Sequence, residues 1–230
     1  LTLQQQHYLL RVLRLKGGDR FLAICDETWW LAELDFAQTE AQLLETIPVQ
    51  TELEQPLTLL AAVTKGQGFD EVVRTTTEMG VTTLIPLLTA HTVMTPSPSK
   101  LERWQRIATE AAEQSCRQRV PEILAPQPFS QALTLIQVEP FAAQHRLICV
   151  TDPDGVDLAQ SLENLPQLGI LVMVGPEGGW TPAEQAAAIA QGFLPVSLGR
   201  RVLRAVTASM AVVAVLSTHL EGIGPTRQKL

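Results

Sequence analysis

The stretch Gly169-Ile-Leu-Val-Met-Val-Gly-Pro-Glu-Gly-Gly-Trp-Thr-Pro-Ala-Glu184 decides how the rest of the chain is read. The apolar run from Ile170 to Val174 has the character of a buried strand. It leads through Gly175-Pro176-Glu177-Gly178-Gly179 into the start signals of a helix. Thr181 is a good N-cap, Pro182 occupies the first helical position, and Glu184 completes a Thr-x-x-Glu capping box. Gly192 closes that helix. In an open parallel sheet, ligands gather outside the carboxyl ends of strands, where such a loop lies. Three glycines in five residues either let a ligand approach the backbone or serve only a tight strand-to-helix turn. The spacing is neither Gly-x-Gly-x-x-Gly nor a Walker loop, which disfavours a dinucleotide or phosphate cradle.

Working outward, Phe193–Leu198 is strand-like and is followed by Gly199-Arg200-Arg201-Val202-Leu203-Arg204-Ala205-Val206-Thr207-Ala208. An apolar helix then runs to about Leu220, ends near Gly222, and is capped by Thr207 or a neighbour. Arg200, Arg201 and Arg204 concentrate positive charge before that helix N-terminus, a place suited to anions unless the loop is simply solvated. Upstream, Leu57–Val63 and Val81–Leu88 are strand-like, and Gly68–Met79 is a helix ended by Gly80. Lys100 to about Gln118 is helical, with Leu101, Trp104, Ile107, Ala108, Ala111 and Ala112 on one stripe, and Leu147–Val150 is a further strand. Strands alternating with helices predict an α/β domain with a mostly parallel sheet. The first 48 residues instead read as short strands and turns. Lys16-Gly-Gly-Asp19 is a turn, followed by strands at Arg20–Cys25 and Trp29–Leu34. The expected division is a β module over residues 1–49, a linker over 50–56 and the α/β domain over 57–230.

The chain has 230 residues, 46% hydrophobic and 18% charged, which is enough to bury a core and excludes disorder or a fibrous repeat. Its apolar runs at Leu168–Val174 and Met210–Leu216 are too short for a membrane span, and no secretory leader is expected. The three cysteines, Cys25, Cys116 and Cys149, have no metal-ligand spacing with the four histidines. The expectation is a soluble cytoplasmic protein with no metal and no membrane partner. The chain begins at Leu1 rather than Met, so the first strand of the β module is expected to be incomplete. A net charge of -7 lowers the expectation of nucleic acid as partner, but the sign varies locally. Residues 100–119 carry five basic against three acidic side chains. Arg11, Arg14, Arg117 and Arg119 are the candidate phosphate contacts, with helix-face pairing and turn support as the plain alternatives. His91, after the Val81–Leu88 strand, is a minor candidate for a pocket wall.

Taken in order, these segments resemble the bacterial small-subunit (16S) ribosomal RNA uridine-N3 methyltransferases of the knotted SPOUT superfamily. The resemblance covers nearly the whole chain. It rests on His7 with Arg11-Val-Leu-Arg-Leu-Lys-Gly-Gly-Asp19, on Lys65 and on Glu78-Met-Gly-Val81. It continues through Arg103-Trp-Gln-Arg-Ile107, Glu113-Gln-Ser-Cys-Arg117 and Val120-Pro-Glu-Ile123. Val174-Gly-Pro-Glu-Gly-Gly-Trp180 and Ser197-Leu-Gly-Arg-Arg-Val-Leu-Arg204 complete it. The resemblance implies a PUA-like β-barrel that holds RNA, then an α/β domain with a C-terminal trefoil knot. It also implies a homodimer with S-adenosyl-L-methionine bound in the knot. Leu88, Thr89, Val174, Gly175, Pro176, Glu177, Gly178, Gly179, Leu198, Gly199, Val202, Leu203 and Ala208 would then surround the cofactor. The partner would be small-subunit ribosomal RNA or the assembled subunit.

The chain departs from the family at Arg200, where Pro is usual, and at Ala205-Val206, where Thr-Glu is usual. Ala90-His91-Thr92 stands in place of Glu-Arg-Ser/Thr. A mechanism that needs the second-loop glutamate cannot operate here. Methyl transfer to a uridine nitrogen is an in-line displacement that requires alignment and loss of the N–H proton. Arg204 is the first catalytic expectation and Arg201 the second, each as a guanidinium that favours the uridine anion. The rivals are a superfamily enzyme acting on another RNA position and a non-catalytic ribosome-assembly factor. Cofactor binding separates the latter from an enzyme.

Overall fold

The computed structural model describes residues 1–93, 95–151, 155–163 and 168–223, and the chain divides into two compact units between Thr51 and Glu52. The first unit opens with a short helix, α1 (Leu3–His7), continued by a π-helical turn over Tyr8–Val12. The Thr2 hydroxyl accepts from the Gln5 N–H and the Gln5 side chain returns to the Thr2 N–H, a second capping box. After Arg14 turns the chain in the left-handed region, three strands follow: β1 (Arg20–Cys25), β2 (Thr28–Leu34) and β3 (Ala41–Ile47). Asp26 and Glu27 both have positive φ and form the tight β1–β2 turn, which sets Arg20 opposite Glu33 and Cys25 opposite Thr28. The Asp35 carboxylate closes the β2–β3 turn. N–H groups of Glu40, then Thr39, Ala37 and Gln38, hold it below the usual carboxylate range. The sheet is an open antiparallel meander of order β1-β2-β3, so β1 and β3 are its edges.

The second unit is a parallel sheet built from β4 (Leu57–Ala62), β5 (Thr83–Leu88), β6 (Glu122–Ile123), β7 (Gln127–Pro128), β8 (His145–Cys149), β9 (Val156–Asp157), β10 (Ile170–Val174) and β11 (Leu194–Ser197). Its order is β6-β5-β4-β10-β8-β11-β9, with β7 pairing β5 at one end. Every residue of β4 and β10 is buried, because these central strands are covered on both faces. Strand periodicity divides β10 between two cores. Ile170, Val172 and Val174 join one cluster, and Leu171 and Met173 the other. The first cluster lies under α2 (Gly68–Glu78), α3 (Pro98–Gln114) and α7 (Ala205–Ile223), and also takes in α5 (Leu158–Leu162). The second lies under α4 (Phe129–Leu135) and α6 (Pro182–Ala190).

The last helix returns to the beginning of its unit. From β11, beyond β8 in the sheet, the chain comes back so that α7 packs on α2, β4 and β10. Val212, Val213, Leu216 and Leu220 are its buried face. By length and composition α7 is long and apolar enough to cross a membrane, which the short runs in the sequence did not suggest.

Two boundaries differ from expectation. Helix α3 stops at Gln114 rather than near Gln118, because Cys116 adopts φ 57 and the next residue turns inward. Helix α7 begins at Ala205, so Thr207 lies inside its first turn and is not its cap. The expected linker is, from Glu52 on, part of the second unit. Glu52 pairs with Arg117, and the Pro56 carbonyl accepts from the Ile170 N–H.

Candidate functional site

Three connections leave the carboxyl ends of β8, β10 and β11 and enclose a cleft of about 500 Å³. Residues 149–151 follow β8, 174–180 follow β10, and 198–205 follow β11 into α7. The strands β10 and β11 are not neighbours, since β8 lies between them. The third wall, Cys149, Val150 and Thr151, therefore comes from β8. Sequence reading placed that strand but did not apply the carboxyl-end rule to it. Trp180, Gln185 and Ala205 also line the cleft and were not expected to, whereas Arg200 lies inside the 198–203 segment that was. The walls combine apolar side chains, glycine backbone and the two guanidinium-bearing residues Arg200 and Arg201. Such a cleft offers a ligand main-chain hydrogen-bonding groups, apolar contact and positive charge.

The glycine loop is held from both sides. Trp180 donates its indole N–H to the Cys149 carbonyl at 2.9 Å, and a Cβ on Gly175 would stand 3.0 Å from that ring. Any side chain at residue 175 would displace the indole. On the other side, the Ala90 N–H donates to Glu184 Oε1 at 2.8 Å. His91 Nδ1 lies 3.0 Å from the Gly179 carbonyl oxygen, and its ring covers Gly178, where a Cβ would stand 3.1 Å away. Glu184 also completes the expected capping box with Thr181. Burial opposes its ionisation, but the N–H groups of Ala90 and Thr181, the Thr181 hydroxyl and nearby His91 outweigh burial and lower its pKa. Burial likewise pushes the Cys149 thiol up to about 12, so it faces the cleft as a neutral group.

Of the expected cofactor residues, Val174, Gly175, Pro176, Gly178, Gly179, Leu198, Gly199, Val202, Leu203 and Ala208 line this cleft. Leu88, Thr89 and Glu177 do not. Leu88 and Thr89 belong to the end of β5, which β4 separates from β10, and Glu177 is exposed. Arg201 lines the cleft, whereas Arg204 is exposed just outside it, its carbonyl accepting the Ala208 N–H at the start of α7. Val206 packs by the N-terminus of α2, its Cγ2 3.1 Å from the place of a Cβ on Gly68. That position is apolar by packing.

Arg117 requires a correction. It was expected at a phosphate, but it is buried, with its guanidinium on the Glu52 carboxylate and the carbonyls of Thr77 and Val81. It ties the end of α3 to the residues around α2 and cannot reach RNA. Arg11, Arg14 and Arg119 are exposed, though Arg119 also has a partner. Among the described residues no cluster of His, Cys, Asp or Glu could hold a metal ion.

A family model described as an RNA methyltransferase domain matches residues 51–217. The chain is 49% identical to ribosomal RNA small subunit methyltransferase E of Synechocystis over 96% of its own length and 73% of the relative's. It is 26% identical to the protein of the same name from Bacillus subtilis, over 96% of this chain and 90% of that one. Its fold superposes on a ribosomal RNA small subunit methyltransferase E from Neisseria gonorrhoeae, solved bound to S-adenosyl methionine. That match has a TM-score of 0.82 and 29% identity, and covers 95% of this chain and 90% of the other.

Proposed function

This chain belongs to the RNA methyltransferase family, as a relative of the ribosomal RNA small subunit methyltransferases E, and from that premise we propose that it methylates N3 of a uridine in small-subunit ribosomal RNA. One observation carries the reading. The loops after β8, β10 and β11, two of which bear the motifs of the resemblance, converge on a single cleft. S-adenosyl-L-methionine fits its construction. Leu198, Val202 and Leu203 offer apolar walls for an adenine, and the glycine loop and the 198–203 segment offer main-chain hydrogen-bonding groups. When bound there it supplies an electrophilic methyl group.

The protein's part is alignment and proton removal. Arg201 on the cleft wall and the exposed Arg204 beside it support a role for these guanidinium groups in favouring the uridine anion and holding its flanking phosphate. Among the described lining residues there is no Asp, Glu or His, and Cys149 is held protonated. The guanidinium groups lower the cost of the anion that loss of the N3 proton leaves.

The first unit serves in this reading as the PUA-like RNA-holding module over residues 1–49, with Arg11 and Arg14 toward phosphate. The return of α7 from β11 to α2 supports a C-terminal knot. The homodimer is part of this reading on the resemblance alone. Calorimetric titration with S-adenosyl-L-methionine, beside Arg204→Ala, is the test. The expected result is one site per chain in both proteins, with loss of methylation on small-subunit RNA in the variant alone. Absence of binding to the parent protein would overturn the reading in favour of a non-catalytic RNA-binding factor.

A further inference from the structure

We propose that His91 is a positioning residue that sets the glycine loop of the cleft in its binding geometry; this rests on the assignment of that cleft to the methyl donor. The loop from Gly175 to Trp180 is rich in glycine, and Gly179 has φ 72, so its own backbone constrains it weakly. Its internal bond runs from the Gly179 N–H to the Pro176 carbonyl at 2.9 Å. The Trp180 indole anchors its far end. Between these points the Gly178–Gly179 segment meets a side chain from elsewhere in the fold at His91. A carbonyl oxygen can only accept, so the short contact to Gly179 requires the proton on Nδ1. The same ring lies over Gly178 closely enough that a side chain there would be driven into it. One residue earlier, the Ala90 N–H reaches Glu184 at the start of α6. The β5 loop thus holds the β10 loop at Gly178–Gly179 and at the first turn of α6, although β4 separates the two strands. His91 is not itself among the residues that line the cleft, so it acts through Gly178 and Gly179, which are.

The experiment compares the parent protein with His91→Ala and His91→Asn. The Asn side chain can place an N–H₂ donor near the position of Nδ1, whereas Ala cannot. His91 is exposed, and thermal melts are expected to show all three proteins folded. Two readouts follow: affinity for S-adenosyl-L-methionine by titration, and hydrogen exchange of the residue 178–180 amides in protein without cofactor. Loss of one hydrogen bond predicts an affinity weaker by roughly three- to tenfold in His91→Ala, with faster exchange of those amides. The KM for the donor rises in step while kcat at saturating donor moves much less. His91→Asn recovers most of the affinity and the exchange protection. The proposal is overturned if His91→Ala matches the parent in both readouts, or if His91→Asn is as weak and as open as His91→Ala. If the parent protein does not bind the donor, the functional reading fails, and the exchange comparison still decides whether His91 holds the loop.

Discussion

At the scale of single residues, the environment decides what each charged or nucleophilic group can do. Arg117 and Glu52 form a buried ion pair, so removing one partner strands the other without solvent. Arg117→Ala is expected to cost about 3–5 kcal/mol in urea unfolding, and Arg117→Met with Glu52→Leu to recover only part of it, because the Thr77 and Val81 carbonyls and the Gln118 and Arg119 N–H groups lose these partners. RNA affinity, corrected for unfolded protein, stays unchanged in that variant. Cys149 makes the opposite case. It lines the cleft, yet burial holds its pKa near 12, so alkylation at neutral pH should mark the exposed Cys25 and Cys116 and spare it, as read by mass spectrometry. Where the guanidinium groups act by favouring the uridine anion, the methylation rate should climb about tenfold per pH unit through neutrality. A bell-shaped profile would point to an enzymic base outside the cleft wall.

At the scale of elements, α6 shows how a local signal acquires a distant task. Thr181→Ala should cost about 1 kcal/mol by loss of the cap. Glu184 has a lowered pKa, so its stabilising contribution is present above its unfolded value of 4.5 and is lost as pH falls through the folded value below it. Urea midpoints should therefore drop below pH 4.5, and less steeply in Glu184→Gln. The capping box was legible because its two residues are three apart. The bond from Ala90 to Glu184 spans 94 residues and leaves no local pattern. Arg117 was misread for the same reason, since Glu52 lies 65 residues before it in a stretch that reads as linker. Sequence found the strands around the cleft because β10 and β4 are continuous apolar runs. It could not order them, so the wall contributed by β8 was lost. Helix α1 was legible in principle, as Thr2 and Gln5 stand at capping-box spacing, but too few apolar residues follow to show a helical period.

At the scale of the molecule, the second unit is closed by its own last element. Helix α7 covers α2, β4 and β10, and its buried valines and leucines share a core with Leu57, Leu59 and Phe69. A chain ending at Arg204 would leave that face bare, and it is expected to be insoluble or to lack a cooperative melt. The same closure has a consequence for biosynthesis. Strand β4 leaves the ribosome long before the helix that covers it. At about 5–20 residues per second, the roughly 150 residues between them take about 7 to 30 s to make. Through that interval the nascent unit exposes an apolar sheet face and has no finished cleft. Its yield in the cell should thus follow translation speed and the supply of chaperones that shield nascent chains, and its ligand can help only after α7 has been made.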